Sequence, residues 1–384
     1  MKFGFATATQ IIFGVGTART IGNYAATLGH RAMVVSGRSS ARYGLIREQL
    51  KKQGIASTHF SVQEEPTTEM ALAGVQKARQ AACDCVIGIG GGSVMDAGKV
   101  IAALLTNSGD LSDYLEVIGK GLALEKMSAP YMAIPTTAGT GAEVTRNSVL
   151  ESPEHRVKVS MRSPLMLPRW AIVDPELTYS VPPHITASTG LDAFTQLLEA
   201  YVSHAANPLT DGICREGLEH AAGSLLPAFE NGSNTAAREA MSLASLFGGL
   251  ALANAKLGAV HGIAGPMGGM FKAAHGAICG RLLPFVMAMN ISALQRRAPD
   301  SPSLARYEEV ARIVTGKANA TATDGINWVQ KTCAVLKLPP LSDYGITEAD
   351  FQSLIEKAQK ASSMKGNPVQ LTEAELVEIL QQAL

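Results

Sequence analysis

Residues 86–99 read VIGIGGGSVMDAGK and carry the signal that decides the fold. The apolar and glycine residues at 86–89 predict a buried strand, three glycines follow, and 93–105 has the apolar spacing of a helix. A strand, a glycine turn and a helix start present free backbone N–H groups to an anion such as a phosphate. Ser93 is placed to cap the helix and to donate to the same anion.

The same motif has a second interpretation, a tight turn between strand and helix that binds no ligand. Its spacing matches neither G-x-G-x-x-G nor G-x-x-x-x-G-K-[ST]. Asp96 and Lys99 are three residues apart and share one face of the predicted helix near its start. Support for a ligand site must therefore come from the neighbouring strands.

Strands and helices alternate through the first half of the chain. We expect strands at 31–36, 57–62, 131–134 and 171–174, besides one or two within 2–16. This alternation predicts a parallel sheet with helices on both faces, in which ligands bind beyond the carboxyl ends of the strands. Two prolines interrupt the pattern near residue 182. We therefore predict an α/β dinucleotide-binding domain over 1–182 and a second domain over 183–384.

Two further loops follow strands of this predicted sheet. The loop at 136–141 offers three hydroxyl groups for a phosphate or ribose, although it can equally be a hydroxyl-capped turn. The loop Gly37, Arg38, Ser39 contains no carboxylate. An acidic residue at such a position binds the ribose 2′-hydroxyl of NAD, whereas an arginine suits a 2′-phosphate. The loop therefore favours NADP over NAD, with a solvated arginine as the alternative interpretation.

The composition excludes several classes of function. Lys plus Arg and Asp plus Glu number 33 each in 384 residues, so no net charge attracts nucleic acid or an anionic membrane surface. The chain starts without the apolar core of a signal peptide, and no apolar run reaches the ~20 residues of a membrane helix. The five cysteines form no C-x-x-C pair. We expect a cytoplasmic protein with reduced thiols.

Beyond residue 185 the sequence predicts an all-α domain. Its expected helices are at about 186–203, 209–228, 234–253, 284–296, 303–315, 324–335, 348–362 and 372–383. On a helix expected at 186–203, Asp192, Gln196 and Glu199 form a polar stripe, and buried polar groups must be paired or bind a ligand. His261 and His275 lie in a nearly uncharged stretch rich in glycine and alanine. With Asp192 they could form an Asp/His/His site with an open position, as for Zn or Fe. The alternative is a pair of histidines satisfied within the core.

Five motifs in this order resemble the iron-containing (group III) alcohol dehydrogenases. They are GGGSVMDAGK (90–99), IPTTAGTGAEVT (134–145), AIVDPELT (171–178), TGLDAFTQLLEAYVS (189–203) and GAVHGIAGPMGGMFKAAHG (258–276). The resemblance covers most of the chain. It implies a dehydroquinate synthase-like fold, with a nucleotide-binding α/β domain, a helical metal and substrate domain, a catalytic cleft between them and a homodimer.

The resemblance also implies cofactor contacts, by position. They are Gly91, Gly92, Ser93 and Asp96 for the pyrophosphate, Thr136, Thr137 and Thr140 for the phosphate, ribose and nicotinamide side, and Asn147 and Lys158 near the nicotinamide ribose. NAD-dependent members carry Asp where this chain has Gly37. We therefore expect NADP as the cofactor, with NAD as the alternative.

The metal ligands depart from the family pattern. Family members usually carry Asp, a His four residues later and two further His. Asp192, His261 and His275 match, but Gln196, a poor ligand, occupies the fourth-ligand position. Gly265 replaces a histidine of many members, a candidate proton relay. Glycerol dehydrogenase-like relatives bind Zn with one Asp and two His, so we expect a divalent metal, Zn or Fe, on the three matching residues.

The function implied is an NAD(P)-dependent alcohol dehydrogenase or aldehyde reductase acting on a small alcohol or aldehyde, with the carbonyl polarised by the metal. Without metal, His261 or His275 as imidazolium would donate to the developing alkoxide. The substrate cleft would be lined by apolar side chains, namely Phe194, Met267, Met270 and Phe271.

Four alternatives remain open at this stage. One is maleylacetate reductase-like reduction of a dicarboxylate, which requires arginines such as Arg146, Arg162 or Arg281 in the cleft. A metal-independent reductase of the same fold is the second. The others are a dehydroquinate synthase-like lyase and a nucleotide-binding protein without catalysis.

Overall fold

The computed structural model describes residues 2–384, except the side chain of Ser40, and contains two compact units. The sheet unit comprises residues 6–137 and 141–179, and the helical unit comprises 2–5, 138–140 and 180–384. Each unit has its own apolar core.

The sheet unit contains eight strands and five α-helices within the described residues. The strands are β1 (Gln10–Phe13), β2 (Arg31–Ser36), β3 (Ala56–Ser61), β4 (Cys85–Gly90), β5 (Tyr131–Pro135), β6 (Asn147–Ser152), β7 (Val157–Arg162) and β8 (Trp170–Val173). The helices are α1 (Ile21–Ala25), α2 (Ser40–Lys52), α3 (Thr68–Gln80), α4 (Gly92–Thr106) and α5 (Leu111–Tyr114).

Six of these strands form one parallel sheet in the order β1-β8-β5-β4-β2-β3. The expectation of a parallel α/β sheet is therefore confirmed. β4 is buried along its whole length, as a central parallel strand covered on both faces must be. Its last residue pairs with Pro135 at the end of β5. The glycine turn and the threonine loop consequently leave the sheet at the same edge.

Two details of the sheet unit differ from the sequence predictions. α4 begins at Gly92 with Gly91 as its N-cap, so Ser93 lies inside the first turn and does not cap the helix. β6 and β7 form an antiparallel hairpin that was not predicted. Of the one or two strands expected within 2–16, the structure has one, β1, which pairs with β8.

The helical unit contains no strand among its described residues, which confirms the predicted helical C-terminal part. Its helices are α6 (Pro183–Val202), α7 (Pro208–Glu230), α8 (Thr235–Ala255), α9 (Ala259–Met270), α10 (His275–Arg297), α11 (Pro302–Thr315), α12 (Ala322–Val335), α13 (Phe351–Lys360) and α14 (Glu373–Ala383). α6 is the central helix, buried from residue 186 to 202 apart from Thr189, and it packs against α7, α8 and α10.

Two helices of this unit were not predicted correctly. α9 was missed because its glycines and Pro266 mask the helical period. α10 begins at His275, about nine residues before the predicted start of 284, so that His275 belongs to a helix and not to a loop.

α10 is long and apolar enough to pass a length-and-hydropathy test for a membrane span, with a mean hydropathy of 1.6. α8 and α9 pass the same test together, but they are bent by 100° at the break between them. Most of α10 is buried inside the protein, where its apolar residues form part of the core. A core helix accounts for this hydropathy.

The close contact between β4 and α4 depends on two glycines. The phenol of Tyr131 on β5 donates to the Met95 carbonyl of α4 at 3.2 Å. A Cβ atom at Gly98 would lie 2.7 Å from the Tyr131 hydroxyl oxygen, and one at Gly88 would lie closer still. Tyr131 therefore fills the space that these two residues leave open.

Replacing Gly88 with Ala should destabilise the sheet unit by about 1–3 kcal/mol, because the added methyl group overlaps Tyr131 in a packed core. Gly212→Ala is the matched control, since Gly212 is exposed on α7 and a Cβ there meets nothing within 4 Å. Urea unfolding should show a lower midpoint for the first variant and an unchanged or higher midpoint for the control. Equal midpoints for Gly88→Ala and the wild type would contradict the packing argument.

Candidate metal and nucleotide sites

The glycine turn and the threonine loop are neighbours in the sheet unit. The amide of Thr136 donates to the Gly90 carbonyl at 2.9 Å, and a Cβ atom at Gly91 would lie 3.3 Å from Thr137 Oγ1. Gly91, Gly92, Ser93 and Thr137 are all partly exposed. The N-terminus of α4, a helix of about four turns, therefore lies beside a hydroxyl-bearing loop at the carboxyl edge of a parallel sheet. This arrangement suits a phosphate group.

Arg42 is a basic residue at this edge that the sequence analysis missed. It lies in α2, and its Nη1 donates to Thr136 Oγ1 at 2.8 Å. Burial lowers the pKa of its guanidinium, and no carboxylate of the described residues forms an ion pair with it. A half-buried cation without a carboxylate partner is available to an anionic ligand. The sequence indicated this role only through the position of Arg42 in the helix that follows β2.

The loop after β2, which is predicted to favour NADP over NAD, has three residues with different surroundings. Gly37 is partly buried, and a Cβ there would meet its nearest neighbours at 3.9 Å, so the position has room for a side chain. Arg38 is exposed and its Nε donates to the Gln63 carbonyl at 2.9 Å. Ser39 is the exposed N-cap residue of α2 and makes no side-chain cap bond.

Asp96 and its neighbours bind one another within the sheet unit. Asp96 Oδ2 accepts from the Val149 amide at 3.1 Å, and its Oδ1 lies 3.7 Å from Lys99 Nζ. Lys99 also donates to the Asn147 carbonyl at 2.7 Å and to Thr145 Oγ1 at 2.8 Å. Burial raises the pKa of Asp96 to about 6, against the effect of Lys99. The carboxylate thus holds the β6–β7 hairpin to α4, and its implied pyrophosphate contact stays a prediction.

The other implied cofactor contacts also have local partners. Lys158 Nζ forms an ion pair with Glu65 Oε2 at 3.1 Å. Thr136 is buried and Thr140 partly exposed, and residues 138–140 group with the helical unit. Asn147 is partly exposed at the start of β6.

In the helical unit, four side chains converge on one point. Asp192 comes from α6, His261 from α9, and His275 and Cys279 from α10, and one ligand atom of each lies within 4.8 Å of the others. Asp192 Oδ1 is 3.3 Å from His261 Nε2 and 3.8 Å from His275 Nε2, and Cys279 Sγ is 3.7 Å from His275 Nε2. The first three are the residues that the sequence singled out, and Cys279 is an addition.

These separations fit a divalent transition metal ion. Zinc bonds of about 2.0–2.3 Å to nitrogen, oxygen and sulfur imply a tetrahedron with edges of about 3.3–3.8 Å. A carboxylate, two imidazoles and a thiol are also the donor types that such ions take. Asp192 and His261 are almost completely buried, whereas 33% of the His275 side chain is exposed. The cluster is therefore accessible on the side of His275.

Glu199 positions His261 from behind. Its Oε1 accepts from the Val260 amide at 2.7 Å, and its Oε2 lies 2.6 Å from His261 Nδ1. The carboxylate therefore caps the N-terminus of α9, which begins at Ala259, and fixes the imidazole with Nε2 towards Asp192. The polar stripe of α6 thus contributes one residue to the cluster and a second that orients it.

The ionisable groups of the cluster shift one another's pKa values towards the charged forms of Asp192 and His261. Burial raises the pKa of Asp192, but hydrogen bonding and charge from His261, with His275 and Gln196, hold it below its usual value. Burial lowers the pKa of His261, but Cys279, Asp192 and Glu199 together raise it above its usual value.

Gln196 does not join the four converging side chains. It lies one turn after Asp192 on α6 and helps to hold the pKa of that carboxyl below its usual value. Its Oε1 is buried without a hydrogen-bond partner among the described residues and faces Gly248 of α8, where a Cβ atom would lie 3.0 Å away. The signal for Cys279 was its spacing of four residues after His275, which places both on one face of α10.

Two of the four residues expected to line a substrate cleft are core residues. Phe194 is buried against Trp328, with ring centroids 5.4 Å apart, and Met267 is completely buried. Both were misassigned because apolar helix positions look alike in sequence whether they face a core or a cleft. Met270 and Phe271 are partly exposed.

Comparison with known proteins covers nearly the whole chain. Residues 8–175 match the family described as iron-containing alcohol dehydrogenase, and 186–384 match the C-terminal domain of the Fe-containing alcohol dehydrogenase family. A 1,3-propanediol dehydrogenase of Klebsiella pneumoniae is 33% identical, over 99% of this chain and 98% of the relative. The resemblance inferred from the five sequence motifs is thus confirmed.

Solved structures give the same result. The structure of a 1,3-propanediol oxidoreductase is similar with a TM-score of 0.92 and 32% identity, over 100% of both chains. That of a sulfoacetaldehyde reductase from Bifidobacterium kashiwanohense in complex with NAD⁺ is similar with a TM-score of 0.87 and 29% identity, over 100% of this chain and 99% of the other.

Glu199→Gln should weaken metal binding by about 10–100-fold, because a carboxamide has one acceptor oxygen and cannot accept from both the Val260 amide and His261 Nδ1 as the carboxylate does. Glu309→Gln is the control, since Glu309 accepts from Arg215 in the same unit and does not belong to the cluster. Zinc affinity is measured by competition with a chelator of known affinity. An unchanged affinity in Glu199→Gln would contradict the orienting role.

Proposed function

The chain belongs to the iron-containing alcohol dehydrogenase family, and we propose that it interconverts a small alcohol and its aldehyde with NADP as the preferred cofactor. The proposal includes a divalent metal, Zn or Fe, on Asp192, His261 and His275. The convergence of these three side chains, with one of them partly exposed, is the observation that carries it.

When bound, the nicotinamide supplies the hydride and the divalent ion polarises the substrate carbonyl. The protein contributes binding and orientation. Glu199 fixes the His261 ring, and Asp192 supplies the charge that a divalent ion requires. The partly exposed side of His275 gives a substrate oxygen its approach to the cluster.

In the sheet unit, the proposed cofactor contacts are those that can meet an anion. They are the N-terminus of α4 at Gly91, Gly92 and Ser93, the hydroxyl group of Thr137, the loop Gly37, Arg38 and Ser39, and additionally Arg42. Further contacts are proposed from the family motifs alone, namely Asp96, Thr136, Asn147 and Lys158, and Thr140, which groups with the helical unit. The absence of a carboxylate at 37–39 supports NADP over NAD.

The proposed substrate class rests on the names of the relatives and on the partners of the arginines that a dicarboxylate would require. Several relatives are named for alcohols, including 1,3-propanediol and 4-hydroxybutyrate. Reduction of a dicarboxylate stays the alternative. Two of its three candidate arginines have local partners, since Arg162 pairs with Glu116 at 3.3 Å and Arg281 donates to the Ala383 carbonyl at 2.8 Å, whereas Arg146 is partly exposed. The proposed substrate is a small, neutral or modestly polar alcohol or aldehyde.

Three further parts of the proposal rest on the sequence and on the family. They are a domain boundary at 182–183, a homodimer and a cytoplasmic location. The alternative is a metal-independent reaction in which His261 or His275 donates the proton. The following experiment distinguishes it from the metal-dependent reaction.

The purified protein should oxidise NADPH in the presence of a short aldehyde and should contain about one Zn or Fe per chain. Removal of the metal with a chelator should abolish turnover, and addition of Zn²⁺ or Fe²⁺ should restore it, because the carbonyl then regains its Lewis acid. Elemental analysis and the assay are performed on the same sample. Undiminished turnover by metal-free protein would refute the metal-dependent reaction and favour the histidines as donors.

Gly37→Asp should shift the cofactor preference from NADPH towards NADH by at least about tenfold, equivalent to about 1.4 kcal/mol. A carboxylate at this strand end accepts from the ribose 2′-hydroxyl and repels a 2′-phosphate, and the position has room for it. Gly44→Asp in α2 is the control for added charge, since a Cβ there meets nothing within 4 Å. The ratio of kcat/KM for the two cofactors is compared, and an unchanged ratio in Gly37→Asp would refute the assignment.

A further inference from the structure

We propose that Cys279 is a metal ligand that compensates for Gln196, so that the site binds Zn²⁺ through Asp192, His261, His275 and a thiolate and disfavours Fe²⁺. The inference rests on the metal site of the proposed function and adds its fourth ligand and its metal preference.

The backbone brings Cys279 to Asp192 through two glycines of α10. A Cβ atom at Gly276 would overlap the Ser188 carbonyl and would lie 3.0 Å from the Asp192 Cβ. One at Gly280 would lie 2.6 Å from the Leu191 side chain. α10 therefore packs directly on α6 at the level of the cluster. Cys279, between these glycines, is fully buried and has its Sγ 3.7 Å from His275 Nε2.

Gln196 is not oriented as a ligand. Its Oε1 has no hydrogen-bond partner among the described residues and lies against Gly248 of α8, where a Cβ atom would be 3.0 Å away. Coordination by this oxygen would require the side-chain amide to rotate away from Gly248. Cys279 requires no such change, because its sulfur already lies 3.7 Å from His275 Nε2 and within 4.8 Å of the ligand atoms of Asp192 and His261.

The charge balance also favours a thiolate. A divalent ion with two neutral imidazoles and one carboxylate retains one positive charge in a mostly buried site, and an uncompensated buried charge is costly. A thiolate from Cys279 brings the sum over the ion and its four ligands to zero, while the nearby Glu199 carboxylate is stabilised by the N-terminus of α9. Thiolate sulfur is a soft ligand that favours Zn²⁺ over Fe²⁺ beyond the order found with nitrogen and oxygen ligands alone.

The decisive measurement is X-ray absorption at the zinc edge of the zinc-loaded protein. The wild type should show one sulfur at about 2.3 Å together with nitrogen and oxygen ligands at about 2.0–2.2 Å. Cys279→Ser should lose the sulfur signal. Cys333→Ser is the matched control, since Cys333 also lies beside α10, where its Sγ donates to the Gly280 carbonyl at 3.3 Å, and it should keep the signal.

A shell of nitrogen and oxygen alone in the wild type would overturn the proposal, as would a sulfur signal that persists in Cys279→Ser. The wild-type spectrum decides the question even if that variant fails to fold. Gln196→Ala should retain the sulfur, whereas its loss there would show that the amide is needed to build the site and would count against the compensation.

Metal preference is measured by equilibrating metal-free protein anaerobically with equal Zn²⁺ and Fe²⁺. Because Zn²⁺ outcompetes Fe²⁺ at most nitrogen and oxygen sites, the informative quantity is the difference between variants. Cys279→Ser should lower zinc affinity by at least about 100-fold, since a lost ligand costs more than the 10–100-fold of a lost orienting partner. Its ratio of bound zinc to iron should also fall, and an unchanged ratio would refute the metal preference.

The two proposals fail in different ways. A protein that holds zinc through sulfur but reduces no aldehyde would refute the proposed function and support the ligand assignment. An active enzyme whose zinc has only nitrogen and oxygen neighbours would support the function and refute the role of Cys279.

Discussion

The helical unit is organised by two carboxylates buried on one helix. Asp192 and Glu199 lie two turns apart on α6, each with about 4% of its side chain exposed. Carboxylates can be buried only if they are paired or bind a ligand. Glu199 is satisfied by the N-terminus of α9 and by His261, while Asp192 faces both histidines. The placement of α9 and α10 on α6 thus satisfies these charges and builds the cluster at the same time.

Glycine makes this arrangement sterically feasible. At Gly258 a Cβ atom would lie 2.8 Å from Glu199 Oε1, and at Gly276 it would overlap the backbone of α6. Larger residues at these positions would move α9 or α10 away and would leave the carboxylates without partners. The high glycine content of 258–276 therefore reflects the need for close approach to buried polar groups, and it explains why a stretch that reads poorly as helix is largely helical.

The sequence predicted those features that depend on local pattern. The β4–α4 unit follows from a run of apolar residues, three glycines and a helical period, and only its capping residue was wrong. The β6–β7 hairpin was missed because its strands, NSVLES and VKVSMR, are rich in polar residues and contain no continuous apolar run. The polar stripe of α6 was recognisable, but the orientation of the Gln196 amide depends on what surrounds it in space. Cys279 was missed because a single cysteine on an apolar helix resembles a core residue.

The two units offer opposite charges to their proposed ligands, although the net charge of the chain is zero. The edge of the sheet presents Arg42 without a carboxylate partner and the N-terminus of α4, and a ligand that carries phosphates is attracted to both. The helical unit presents Asp192 and, as a thiolate, Cys279, which attract a cation. Net charge therefore excludes general binding of polyanions but reveals nothing about these local sites. Only the pairing of each charged side chain distinguishes a ligand site from an internal ion pair, as Asp96 and Lys99 illustrate.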